Sequence, residues 1–169
     1  MQHLCLCGPC APLMAEQLFR ALNLSPVGLH ILPFPAEGSP RGDAIHLQPP
    51  PDLNGVPCRI RLTREETVIV PRALEEVAAP GIRAALRIRT PLLLSGLSAD
   101  LLAGPVFRQT VCDALMGARP VVVAADASAR ETLEALLPPH VQLWLDVPSD
   151  EDGRTALLEA LLPEAALRF

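Results

Sequence analysis

The tetrapeptide Cys7-Gly8-Pro9-Cys10 is the densest cluster of reactive residue types in this chain. Two thiols separated by Gly-Pro at a strand-to-helix turn have the spacing of a dithiol redox centre. Cys7 would be the attacking thiolate, its pKa lowered by the start of the following helix, and Cys10 the resolving thiol. The same turn invites a second chemistry. A Gly-led loop that runs into a helix N-terminus aims backbone N–H groups at an anion, and Gly8 heads such a loop. His3, Cys5, Cys7 and Cys10 are close in sequence, but a structural zinc site draws ligands from two knuckles, and no second CxxC exists. His30 and His46 are not near in sequence, so no metal is expected. No Ser-His-Asp spacing stands out, and His140 follows Pro138-Pro139 in an expected exposed loop.

The elements that must position these residues can be read from periodicity. Leu4 to Cys7 reads as a strand, Gly8 to Pro12 as a turn and Leu13 to Leu22 as a helix, with Met14, Leu18 and Leu22 on one face. Val27 to Leu32, Ala44 to Leu47 and Arg59 to Leu62 are short strand candidates between Pro/Gly-rich runs. Residues 27 to 70, with a turn at 64–66 and an extended piece at 68–70, should form an irregular, mainly antiparallel β insertion. Helices and strands then alternate: a helix from Pro71 to about Arg87 kinked at Pro80, a strand at Pro91 to Leu94, a helix from Pro105 to Ala118, a strand at Pro120 to Ala124. Ser128, with Glu131 three residues on, should cap the next helix. A strand at Val141 to Leu145 and a helix capped by Ser149 complete the chain. Cys58, Cys112 and Trp144 read as packing residues, and Asp150-Glu151-Asp152 as a solvated helix start. The expectation is an α/β fold, a mainly parallel sheet with helices on both faces, in one domain over residues 1–169.

Composition excludes several functions. All 14 basic residues are Arg, so no Schiff-base, general-base or phosphate-binding Lys can act here. A net charge of -5 argues against nucleic-acid binding. No apolar run is long enough for a membrane span. Five Cys without an export signal suggest free thiols in a reducing cytoplasm. The absence of Lys and Tyr and the 19 Pro fit a GC-rich genome.

Several segments in order resemble the small P-loop nucleoside-triphosphatases first described from thermophilic bacteria, which have a cancer-related human relative. Leu6-Cys7-Gly8-Pro9-Cys10 stands where that family has Leu-Thr-Gly-Pro-Pro-Gly. Val27-Gly28-Leu29, Arg41-Gly42-Asp43, the helix Leu74 to Ile82, Phe107-Arg108, Arg119-Pro120-Val121-Val122 and Val147 to Arg154 are similar to successive family segments. The resemblance implies a P-loop fold with nucleotide and Mg²⁺ as ligands. The catalytic residues do not match. Counting from Gly8, the second Gly position is Leu13, the Lys position Met14 and the Ser/Thr position Ala15, and Pro9 and Pro12 remove two backbone donors. The strand that should end in Asp-Glu ends in Ser95-Gly96, with no carboxylate until Asp100.

The resemblance therefore implies a degenerate nucleotide site at Gly8, Cys10, Leu13, Met14, Ala15, Arg108 and Arg154, with no catalytic residue. The expected function is a non-hydrolysing binding or accessory module that holds a nucleotide or anion, or acts through a protein partner, without a cofactor. Two alternatives stand beside it: an NTPase with replaced machinery, and a dithiol oxidoreductase. The tetrapeptide is identical to the thioredoxin redox motif, and Val56-Pro57 is similar to the dipeptide that packs near it. That fold's preceding βα unit, and the Trp before the first Cys, are missing here.

Overall fold

The computed structural model describes residues 2–24, 27–34, 42–48, 58–62, 74–87 and 91–169, with the backbone alone for 27–34, 42–48 and 58–62. The element order is β1 (His3–Cys7), α1 (Ala11–Ala21), β2 (Val27–Phe34), β3 (Gly42–Gln48), β4 (Cys58–Leu62), a π-helical turn (Leu74–Ala78) leading into α2 (Ala79–Ala85), β5 (Leu92–Leu97), α3 (Ala99–Leu102), α4 (Pro105–Met116), β6 (Val121–Ala125), α5 (Ala127–Leu136), a 3₁₀ turn (Pro139–Val141), β7 (Gln142–Asp146) and α6 (Glu151–Arg168). The expected turn at 64–66, the extended piece at 68–70, Arg41 and Val56-Pro57 lie outside the described residues.

Seven strands form one sheet in the order β4-β3-β2-β5-β6-β1-β7. β2, β5, β6, β1 and β7 are mutually parallel, and β3 and β4 add an antiparallel meander to β2. Every residue of β1 and of β6 is buried. That explains the unbroken apolar runs: strands covered by helices on both faces have no solvent side to mark with polar residues.

The sheet separates two cores. Leu92, Leu94, Val121, Val123 and Cys5 pack against α2, α4 and α5 on one face. Leu4, Leu6, Leu93 and Val122 pack against α1 and α6 on the other.

Several boundaries differ from the periodicity reading for local reasons. α1 starts at Ala11, earlier than Leu13, because Pro12 falls in the first turn, where no amide hydrogen is needed. α5 is capped by Asp126, not Ser128. Its carboxylate accepts the Ala129 N–H at 2.8 Å and the Ser128 hydroxyl at 2.6 Å. α6 is capped by Asp150, not Ser149, through the Gly153 N–H at 2.7 Å. Trp144 is half-buried on the edge strand β7. Its indole N–H donates to Gln142 Oε1 at 2.9 Å, and the Arg130 guanidinium lies 5.6 Å from its ring centre. Cys112 is half-buried in α4, and His140 is exposed in the 3₁₀ turn.

Candidate functional site

The carboxyl ends of β1, β6 and β7 converge on the turn between β1 and α1. In open α/β sheets this edge is where ligands bind. Cys7 is in register with Ala125 on one side and Asp146 on the other. Two backbone bonds tie the strand ends together: Gly8 N–H donates to the Ala125 carbonyl at 3.0 Å, and Val147 N–H to the Cys7 carbonyl at 2.8 Å.

Gly8 has φ +124°, and a Cβ there would stand 3.4 Å from the Val147 carbonyl oxygen. Only glycine adopts this backbone without strain. The chain then turns at once. Ala11 N–H donates to the Gly8 carbonyl at 3.1 Å, and Met14 N–H to Cys10 at 3.0 Å, so the helix is under way three residues after Gly8. Cys10 is the N-cap and makes no side-chain cap bond.

This geometry decides what the turn can hold. Gly8 spends its amide on Ala125, Pro9 and Pro12 have none, and Ala11 and Met14 bond within the turn. The Cys10 and Leu13 amides are left without a partner among the described residues. Met14 and Ala15 are fully buried against the sheet with Leu18 and Leu93, and Leu13 is exposed. The residues do not fit a Mg²⁺–triphosphate. Positions 14 and 15 are buried in an apolar core, and the chain has no Lys. Ser95 is buried in β5, separated from β1 by β6, and Asp100 is exposed on the four-residue helix α3.

Of the two expected arginines, one is at the turn. Arg154, in the first turn of α6, places an Nη1 nitrogen 3.7 Å from Cys10 Sγ and hydrogen-bonds the Ser149 carbonyl, while its buried Nε has no partner among the described residues. Arg108 is half-buried on α4, four residues before Cys112, on the opposite face of the sheet from α6.

The two thiols of the tetrapeptide face different surroundings. Cys7 is buried, and burial pushes its thiol up; Arg130 from α5 approaches it and opposes that shift. Cys10 is half-buried beside Arg154, among the residues that pack with α1 and α6. Each thiol thus has its own arginine, from helices on opposite faces of the sheet. The buried member is the first cysteine, the reverse of the exposure an attacking thiolate needs.

The Arg130 cluster was not anticipated from sequence. Its guanidinium pairs with Glu134 and Asp146, each at 3.0 Å, and stacks on Trp144. A trace of it was legible in Arg130-Glu134, an i,i+4 pair. Its link to Asp146 and Cys7 needed the pairing of β7 with β1. Among the described residues no group of three or more His, Cys, Asp or Glu could hold a metal.

No protein-family model matches the chain, and no curated protein matches it. Its fold matches the crystal structure of THEP1 from the hyperthermophile Aquifex aeolicus, with a TM-score of 0.69 over 97% of this chain and 98% of that one, at 14% sequence identity. THEP1 is a P-loop NTPase. The α/β fold with a mainly parallel sheet is therefore shared with THEP1. Among the described residues no helix is long and apolar enough to cross a membrane.

Proposed function

We propose that this chain keeps the P-loop NTPase architecture as a non-hydrolysing binding module, holding an anionic group at the Gly8–Cys10 turn without Mg²⁺. One observation carries the reading: Met14 and Ala15, at the Lys and Ser/Thr positions of the motif, are fully buried in the core. Phosphoryl transfer rests on electrostatic stabilisation by placed cations and donors, and the Lys and Ser/Thr positions of this turn supply neither.

What remains is modest. The free Cys10 and Leu13 amides, the positive end of the α1 dipole and the Arg154 guanidinium share one small region. These donors suit a phosphate, sulfate or carboxylate group, and the ligand is not required to be a nucleotide. The NTPase alternative would need replacements for the Lys, where Met14 stands buried, and for the acids at the end of β5, where Ser95-Gly96 stands. The dithiol alternative is disfavoured by the buried Cys7 and by the separate arginine partners of the two thiols.

Thermal-shift and calorimetric titrations with ATP, GTP and orthophosphate, with and without Mg²⁺, test the reading alongside a phosphate-release assay. Binding to the folded state raises the unfolding temperature by mass action. The expected result is a shift independent of Mg²⁺ and no released phosphate. Mg²⁺-dependent turnover would overturn it.

A further inference from the structure

The register of the antiparallel meander assembles residues that sequence leaves far apart. His30 on β2 is opposite His46 on β3, His46 is opposite Arg59 on β4, and on its other side His30 is opposite Ser95 on β5. Register partners share a face of the sheet, and alternate residues along a strand share it too. One face of the meander therefore carries His30, His46, Gln48, Arg59 and Arg61, with Leu32, Phe34 and Ala44 interspersed. The other carries Val27, Leu29, Ile31, Ile45, Leu47, Ile60 and Leu62, together with Leu92 and Leu94. That apolar face is the one on which α2 packs.

The polar face continues the α1 side of the sheet, since Gly28 is in register with Leu93. Asp43 is the sole acidic residue in β2, β3, β4 and β5, and it lies on the apolar face. The neighbouring helix on the polar side, α1, exposes Glu16 and Arg20. The row Ser95–His30–His46–Arg59, with Arg61 two residues along β4, thus holds two guanidinium and two imidazole positions and no carboxylate. It begins at Ser95, where a P-loop NTPase would keep its metal-binding acids.

We infer that the Arg59–His46–His30 row is a metal-independent binding site for a chain of linked phosphates. Three strand spacings of about 4.8 Å, from Arg59 on β4 to Ser95 on β5, give a row roughly 14 Å long, longer than a single phosphate needs. Guanidinium forks match phosphate oxygens, and imidazoles add donors and, when protonated, charge. Arg59 and Arg61 beside the histidine pair repel a divalent cation, which decides against a His–His metal site. The inference goes beyond the anion at the Gly8 turn and does not depend on it, because the residues differ.

Residue-resolved NMR titration of the full chain with tripolyphosphate, in EDTA at pH 6.5, tests it. The expected result is saturable shifts at amides in 28–34, 42–48 and 58–62, affinity lowered about tenfold by Arg59→Gln or by His30→Gln with His46→Gln, and binding weakened by added Mg²⁺, which competes for the phosphate charge. Undisturbed amide dispersion in the variants keeps the loss interpretable. Shifts confined to residues 8–13 would overturn this inference and leave the proposed function standing; shifts confined to the meander would do the opposite. Binding strengthened by Mg²⁺, or tight Zn²⁺ binding abolished by either histidine substitution, would also overturn it.

Discussion

Restoring the missing lysine by Met14→Lys should damage the protein rather than repair a nucleotide site. Met14 is fully buried, and its cluster contains Leu4, Leu18, Leu93 and Val122 with no carboxylate. An ammonium placed there has no counter-charge. Full burial depresses a lysine pKa by about 3–5 units from about 10.4; at pH 7 at most about 3.4 of those units count, so at about 1.36 kcal/mol per unit the loss is roughly 4–5 kcal/mol. That is comparable to the whole stability of an ordinary domain, about 5–15 kcal/mol. The sign follows from linkage. Between the depressed folded pKa and the unfolded value of about 10.4, the unfolded state binds one proton more than the folded state, so stability rises with pH by about 1.4 kcal/mol per unit. Urea unfolding from pH 6 to pH 10 should show this slope in the variant and not in the parent. Added ATP and Mg²⁺ should not rescue it. A variant as stable as the parent, without the slope and with Mg²⁺-dependent ATP binding, would show that residue 14 opens onto a phosphate loop, and the reasoning from burial would fail.

Gly8→Ala should lower stability by about 1–3 kcal/mol, from forcing a Cβ into a glycine-only backbone region, and so lower Tm by several degrees in a thermal melt. An unchanged Tm would mean that the turn relaxes. In limited alkylation followed by mass mapping, half-buried Cys10 should react well before Cys7, which is buried and has its thiol pushed up; labelling of Cys7 first would revive the dithiol reading. Burial pushes the Cys5 thiol up to about 12. Its contribution is complete below about pH 9 and declines as pH rises from there toward 12, by at most about 1.4 kcal/mol per unit. Cys5→Ala should flatten that part of the unfolding curve while lowering its baseline. His3 is buried, accepts the Val121 N–H at Nδ1 at 3.3 Å, and its Nε2 has no hydrogen-bond partner among the described residues. Burial holds its pKa down, so stability should decline as pH falls below about 6.5, where the unfolded histidine takes a proton first. His3→Gln should remove that decline in acid-titrated unfolding.

The turn at Gly8 shows how far a motif count reaches. Counting residues places Leu13, Met14 and Ala15 at the motif positions, and that count needs no structure. Periodicity puts Met14 on the apolar face with Leu18, but it does not reveal that the helix begins at Ala11 and buries Ala15 as well. That depends on the Ala11 N–H closing onto Gly8 and on the sheet beneath α1. The caps carry a similar lesson. Ser128 and Ser149 fit a local pattern, yet Asp126 and Asp150 act, because strand ends set where the backbone leaves the extended region and so which side chain reaches the third amide. Trp144 reads as core by hydropathy. Its strand ends up at the sheet edge, where Arg130 covers it instead.

Much was determined by the amino-acid sequence alone. The runs Leu92-Leu93-Leu94 and Val121-Val122-Val123 announce strands covered on both faces, helical periodicity marks what lies between them, and the absence of lysine removes a class of chemistry outright. These are properties of neighbouring residues, and short-range sterics and burial suffice to express them. Tertiary structure alone decided which strands adjoin: β6 between β1 and β5, His30 beside His46 and Ser95, Arg130 against Cys7 and Asp146. Those pairings join residues tens to more than a hundred positions apart. They are selected by the packing of two cores onto one sheet, and no local pattern in the chain encodes them.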